Sequence, residues 1–304
     1  MDNLTHTLTG LAVARMGLGR RVEGAAMTLA LANNLPDLDI VAGAFGRVSY
    51  LEHHRAISHA LPASPFLAAA LAWALARWPG SSRRFGPTFV VAWFGILRHI
   101  VWDLWTSDGT RILLPFDAGW YSLDWMFIVD PLLLLLLAIT VFAGRKTGAL
   151  RAARIAFALA IGYIGVRAVA HGMAEGQAAS LAGSEFTNVR ALPDPLNLNR
   201  WRFLASSDTH FATGYVPAYG TSRTKASFPR VVPDAAALRA AQESRAVRTF
   251  LDFSAFPRYE RKQEGDVTTH IWRDLRFMDR RADGFFCEVR VDAAGRILDD
   301  RVVF

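Results

Sequence analysis

Apolar residues dominate several long stretches of the first 171 positions and then give way to an ordinary mixture of polar and apolar residues. The stretches 126–144 (MFIVDPLLLLLLAITVFAG) and 152–170 (AARIAFALAIGYIGVRAVA) each reach the roughly 20 residues needed to cross a bilayer. The first has one acid near its start, and the second carries Arg154 and Arg167 near its ends. Stretches 61–78 and 87–105 are also long enough, and the latter holds Arg98, His99 and Asp103 in its last two turns. Residues 4–17 and 22–35 are shorter; a short span, a half-buried helix or an in-plane hairpin would fit either, and Pro36 closes the second. The pattern predicts a mainly α-helical membrane bundle of about four to six membrane segments over residues 1–171.

From about residue 172 the periodicity changes. Stretches 201–208 and 210–219 read as strands, and 234–253 reads as one helix. Further strands follow in RYERKQ, VTTHIWRDLRF and the segment from FFCEVRVD to RILDDRVVF, with turns at Gly265 and Gly295. Residues 172–304 are therefore expected to form a soluble α+β domain.

Charge adds an orientation. Arg15, Arg20 and Arg21 fall in one turn; Arg77, Arg83 and Arg84 in another; Arg145, Lys146, Arg151 and Arg154 in a third. With six alternating segments all three turns share one face, which the positive-inside rule makes cytoplasmic. The other face then receives residues 36–60 and 106–125, both termini and everything after 171. The formal net charge is +7, but no run of five or six basic residues occurs, so nucleic acid is not an expected partner. Cys287 is the only cysteine, which excludes an intrachain disulfide and a cysteine-based zinc site. The first ten residues lack a basic region ahead of an apolar stretch and do not read as a cleaved signal peptide.

The candidate chemistry is histidine and aspartate. Five of the eight histidines (His6, His53, His54, His59 and His99) lie in the first 99 residues. Asp37, Asp39, Asp103, Asp108, Asp124 and Asp130 are interleaved with them or follow closely. The segment order sends almost all of these groups to one end of the bundle. Ionisable groups there are costly and persist where they pair with each other, a metal or water. His99 and Asp103 are four residues apart, so they share one helix face and can hold one metal ion between them. Each piece alone has a structural alternative. HHRAISH fits a polar loop, PDLD a turn of solvated acids, His99 and Asp103 a buried ion pair, and Asp130 before Pro131 a helix cap. Their convergence on one face favours a metal site, with His6, Asp37, Asp39, His53, His54, His59, His99 and Asp103 as candidate ligands. A His/Asp set suits zinc, with manganese and iron as alternatives, and the number of candidates leaves room for two or three ions.

MDNLTHTLTG, PDLD, HHRAISHA, RHIVWDLWTSDGTRILLPF and DWMFIVDP together resemble the YdjM-like family of bacterial inner-membrane proteins. The resemblance covers about residues 1–140 closely and the tail, through DPLNLNRWRF, more loosely. It implies a multi-pass inner-membrane protein that is a metal-dependent hydrolase, with metal site and tail on the periplasmic side by the charge argument above. A remoter similarity is to zinc-dependent phospholipase C and related nucleases, all-helical phosphoesterases with a His-x-x-x-Glu pair where HIVWD here has Asp.

These readings give a membrane hydrolase of a phosphoester at the membrane interface, such as a lipid head group, with membrane lipids as partners. Asp37 or Asp39 serves as ligand and the other as base or supporting partner. Arg55 clamps an anionic oxygen, Ser58 orients His59, and Thr106 and Asp108 close the site, with Asp124 and Asp130 supporting. Two other classes compete: a non-catalytic membrane protein stabilised by metal that binds a partner through its tail, and a transporter. The transporter is disfavoured because the polar motifs cluster at one end and not at mid-membrane.

Overall fold

The computed structural model describes residues 1–143, 150–278 and 284–304. In chain order the helices are α1 (Asn3–Arg15), α2 (Ala25–Ala32), α3 (Arg47–His53), α4 (Ser64–Ala76), α5 (Phe85–Leu104), α6 (Pro131–Ala143), α7 (Leu150–Ala182), α8 (Ala235–Glu243) and α9 (Arg245–Phe253). The strands are β1 (Asn188–Pro193), β2 (Arg200–Ser206), β3 (His210–Pro217), β4 (Thr224–Pro229), β5 (Pro257–Glu264), β6 (Val267–Asp274), β7 (Phe286–Val291) and β8 (Ile297–Val303). They form two compact units. The first comprises Met1–Asp39, Arg55–Gly172 and Pro193–Leu198; the second comprises Ile40–His54, Met173–Leu192 and Asn199–Phe304.

The first unit is helical. Among the described residues α5 and α7 are long and apolar enough to cross a membrane, and a third span results if the broken stretch Arg47–His59 and Leu61–Ala76 counts as one. Among the described residues two or three candidate spans thus stand where four to six segments were expected, and local signals cut several apolar stretches short. Pro131 starts α6, and Asp130 Oδ1 accepts the Leu133 N–H at 2.9 Å as its cap, so the residues before Pro131 are not helical. Pro65 lies in the first turn of α4, which ends at Ala76. Gly24, left-handed at φ 67°, delays the start of α2. At 13 residues each, α1 and α4 reach only about 20 Å, short of the roughly 30 Å hydrocarbon core. Arg145 and Lys146, two of the basic residues read as a turn, lie outside the described residues.

Where hydrocarbon is the solvent, helices associate through close packing more than through the hydrophobic effect, and small residues mark the contacts. A Cβ at Gly95 of α5 would meet the Ala32 Cβ of α2 at 2.7 Å, and one at Gly10 of α1 would meet the Leu29 backbone at 3.0 Å. Glycine at these two positions lets α2 sit tightly between α1 and α5. Ala32, Ala68, Ala92, Ile96 and Ile100 fill the α2–α4–α5 core. Trp102, Met126, Leu133, Leu137, Ala160 and Ile164 fill the core where α5, α6 and α7 meet. Leu135, Phe142, Leu159 and Val166 stay exposed, as a lipid-facing surface requires.

The second unit holds two four-stranded antiparallel sheets, ordered β1-β2-β3-β4 and β5-β6-β7-β8. Its α/β character matches the expected class, although β1 and β4 were not legible as strands. The expected helix at 234–253 is two helices. Ser244 takes extended backbone (φ −77°, ψ 122°), and its Oγ accepts the Val247 N–H at 3.1 Å, capping α9. Such a cap contributes about 1 kcal/mol, enough to favour a break where Ser244 has helical neighbours on both sides. Ala237, Ala240, Val247 and Phe250 then pack on Trp272, Cys287 and Val289 of the second sheet. Leu51 of α3 joins that core, so the helix carrying His53 belongs to this unit. Gly265 and Gly295 sit at φ 60° and 80°, the left-handed conformation that the β5–β6 and β7–β8 turns need. Lys225 Nζ donates to the Ala182 carbonyl at 2.7 Å, satisfying an open C-terminal carbonyl of α7.

Candidate metal centre

Four side chains from three segments converge on one buried point. The last two turns of α5 supply His99 and Asp103. A 3₁₀ run, Pro36–Phe45, carries Asp37 as its second residue, and a 3₁₀ turn, Ile57–His59, ends with His59. One ligand atom from each of Asp37, His59, His99 and Asp103 lies within 4.8 Å of the others. His59 Nε2 is 3.3 Å from Asp37 Oδ1, 3.3 Å from Asp103 Oδ2 and 3.0 Å from His99 Nε2. His99 Nε2 is 3.5 Å from each of the same two carboxylate oxygens.

The ring orientations are set from behind. His99 Nδ1 lies 2.6 Å from the Asn33 carbonyl oxygen, which can only accept, so Nδ1 carries the proton and Nε2 turns its lone pair inward. The tight α2–α5 contact at Gly95, one turn earlier on α5, places that carbonyl. His59 Nδ1 faces Asp39 Oδ2 at 3.2 Å, which orients the second ring the same way. Ser58 Oγ donates to Asp39 Oδ2 at 2.8 Å and lies 3.0 Å from His59 Nδ1, completing the support.

Two inward lone pairs 3.0 Å apart repel unless a proton or cation lies between them. Asp37 Oδ2 and Asp103 Oδ2 are buried acceptors without a hydrogen-bond partner, and such groups are costly unless something compensates them. With protons on the facing Nε2 atoms in place of a cation, hydrogen bonds from His59 and His99 outweigh the burial that pushes the Asp37 carboxyl up and hold it well below the usual carboxylate range. The quartet is thus a set of converging donors, two nitrogens and two oxygens, that could hold a divalent metal ion.

The other expected residues have distinct places. His6 is beside the quartet: its Nε2 is 3.1 Å from Asp103 Oδ1, and its ring stacks on His99 with centroids 3.8 Å apart. The Met1 amino nitrogen also contacts Asp103 Oδ1. Arg55 is buried, with Nε 3.4 Å from Asp103 Oδ2, Nη1 donating to Thr106 Oγ1 at 2.9 Å, and Nη1 3.6 Å from Asp108 Oδ2. Its backbone is left-handed (φ 57°), a conformation costly for a non-glycine residue. The turn is held by Arg55 N donating to Asp39 Oδ2 at 2.9 Å and by Arg55 O accepting from Arg111 N at 3.0 Å.

His53 and His54 lie in the second unit, where His53 Nδ1 donates to the Ser49 carbonyl and His54 stacks on Tyr50. Asp124 is buried in left-handed backbone, between the bonds Leu123 N to Leu104 O and Met126 N to Trp105 O that pin its loop to the end of α5. Asp130, besides capping α6, accepts from Tyr163 Oη at 2.7 Å and so ties α6 to α7. Sequence reasoning missed Asn33, because its contribution is a backbone carbonyl; only its place at the end of an apolar helix, just before PDLD, could have pointed to it.

Asp39→Asn keeps the shape of the carboxylate but removes its charge from behind His59. Outer partners of metal-binding histidines typically contribute 10–100-fold in affinity, so metal binding should weaken by about that factor without being abolished. A competitive chelator titration measures this; unchanged affinity would remove Asp39 from the support of the site.

The chain is 24% identical over 298 residues to the uncharacterized protein YfhP of Bacillus subtilis (strain 168), covering 92% of this chain and 88% of that protein. Residues 236–303 match the YfhP C-terminal alpha/beta plait domain. No solved structure matches the chain, so the remoter similarity to zinc-dependent phospholipase C rests on the quoted residues alone. Residues 1–174, more than half of the chain and all of the quartet, match the YdjM inner membrane protein family, and the chain belongs to that family.

Proposed function

We propose that the protein is a metal-dependent hydrolase of the inner membrane that acts on a phosphoester at the membrane interface, a lipid head group being the natural candidate. The observation that carries this reading is the buried Asp37–His59–His99–Asp103 quartet, with both histidines aimed by outer partners and two carboxylate oxygens that accept no hydrogen bond. A divalent ion held there, zinc first and manganese or iron as alternatives, would lower the pKa of its water to about 7 and polarise a phosphoryl oxygen. Asp37, His59, His99 and Asp103 are the ligands in this reading. Asp39 and Ser58 position His59, and Asn33 positions His99. Arg55 balances the charge of Asp103, and an anionic oxygen competes for its Nη1 where Asp108 sits at 3.6 Å, beyond hydrogen-bond length. The arginine-rich turns meet at the other end of the helices, where Arg154 Nε donates to the Met16 carbonyl and Ser82 Oγ to Glu23, and this supports an orientation with the site on the periplasmic side, in a multi-pass chain.

One observation favours a second reading. His59, His99 and Asp103 are fully buried, as in closed structural metal sites, so the ion would lock the bundle while the tail binds a partner. Catalysis separates the two. Purified full-length protein loaded with zinc should hydrolyse p-nitrophenyl phosphate, its bis-ester or a short-chain phosphatidyl ester, and Asp37→Asn should abolish this. Zinc-loaded protein inert towards all three would overturn the hydrolase and leave the structural ion.

A further inference from the structure

Away from the quartet, the first unit has a second concave feature. A cleft of about 500 Å³ opens where the end of α1, the first half of α5 and the start of α7 meet. On α5, Val90 precedes His99 by nine residues, roughly 14 Å along the axis, so the cleft and the quartet are separate. Val13, Leu18, Val90 and Phe94 make its apolar wall, and Arg21 and Arg154 stand at it as well. Val90 and Phe94 are exposed on a helix long and apolar enough to span the membrane. Arg154 Nε donates to the Met16 carbonyl at 3.3 Å, which ties the start of α7 to the end of α1 and holds the guanidinium at the cleft.

The charge at this cleft is unbalanced. Among the described residues neither Arg21 nor Arg154 has a carboxylate within ion-pair distance. Glu23, the acid nearest in sequence, is engaged by Ser82 Oγ. Arg15, on the last turn of α1, also has a buried Nε without a hydrogen-bond partner. An apolar wall running into two uncompensated guanidinium groups has the form and charge of one kind of occupant: apolar chain along the wall, anionic head group on the arginines. Guanidinium groups pair with phosphate oxygens in two-point contacts that a zwitterionic head group partly cancels with its own ammonium. The volume lies within the range of about 300–1,000 Å³ usual for small-ligand sites.

We infer that this cleft is a binding site for one anionic phospholipid, its phosphate held by Arg21 and Arg154 and an acyl chain lying on Val13, Val90 and Phe94. The inference does not depend on any metal or on hydrolase activity.

The test uses the purified full-length protein in detergent, titrated with phosphatidylglycerol or phosphatidylcholine of identical acyl chains, with native mass spectrometry reading the bound fraction. Wild type should retain phosphatidylglycerol about tenfold more tightly, as expected for two basic side chains against one anionic head group. Arg21→Gln/Arg154→Gln should bring the two lipids to within about twofold of each other, while Arg77→Gln/Arg151→Gln, which removes the same charge outside the cleft, should keep the preference. Equal retention of both lipids by wild type overturns the site without recourse to any variant. So does a preference that survives Arg21→Gln/Arg154→Gln, or one that falls equally in the control pair. Displacement of phosphatidylglycerol by millimolar inorganic phosphate would show a phosphate site instead of a lipid site, and would equally overturn it. Should the glutamine pair fail to fold, Arg21→Lys/Arg154→Lys must still favour phosphatidylglycerol.

Discussion

His99→Ala and Asp103→Ala should each strip the divalent metal from the purified protein. Each removes one of four converging donors, and Asp103 faces both His59 Nε2 and His99 Nε2. Since an outer partner alone accounts for up to about 100-fold, loss of a ligand should exceed that, leaving well under about a tenth of the wild-type zinc per chain after desalting. Elemental analysis reads this directly. Asp103→Ala should also be the less stable of the two, because Arg55, His6 and the Met1 amine all contact that carboxylate. Asp103→Asn separates the effects by keeping the shape and one acceptor oxygen while removing the charge. Wild-type protein that is metal-free when purified without chelators, yet fully stable, would sink the assignment.

A stability loss of similar weight is expected in the second unit, from a pair remote in character from the metal chemistry. Asp274 and Arg276 are both buried, and Asp274 Oδ2 accepts from Arg276 Nη2 at 2.7 Å while Oδ1 accepts the Arg276 N–H at 3.0 Å. Arg276 Nη2 also donates to the Phe253 carbonyl at 3.0 Å, and its guanidinium lies over the Phe253 and Phe277 rings. Asp274→Ala leaves that cation buried without its counter-charge, which typically costs about 3–5 kcal/mol. Replacing both partners, as Asp274→Leu/Arg276→Met, should recover most of the loss, because desolvation of two charges offsets much of what the pair contributes. Denaturant unfolding of the full chain, followed by fluorescence of the buried Trp272, provides the measurement. An Asp274→Ala loss below about 1 kcal/mol would mean that water or another group reaches Arg276.

Much of the first unit's character was legible because its solvent imposes it. A run such as LLLLLLAITVFA has no place in water without extensive burial, so its meaning survives ignorance of the fold. Span count was not legible, because hydropathy counts residues while helices end at particular ones. Pro131 with Asp130 and the left-handed Gly24 shorten α6 and α2, and none of these lowers the average hydropathy enough to show. The break of one expected helix into α8 and α9 has the same cause: Ser244 caps by a single hydrogen bond that no periodicity records.

Residue types and order alone determined that this chain pairs a membrane-embedded helical part with an α/β tail, and that histidine and aspartate gather at one end of the helices. Those follow from transfer energies and chain direction, which are properties of residues in order. Only the tertiary structure decided which of eight candidate ligands face one another. His53 and His59 are six residues apart, yet α3 commits the first to the core containing Leu51, while the turn at Arg55 carries the second to the quartet. Tertiary packing also separated the two acids of PDLD, since Asp37 reaches both imidazole Nε2 atoms and Asp39 stands behind one ring. The reason is that a ligand set depends on distances of a few ångströms. Those distances are set by contacts such as Gly95 against Ala32, which connect residues 63 positions apart in the chain.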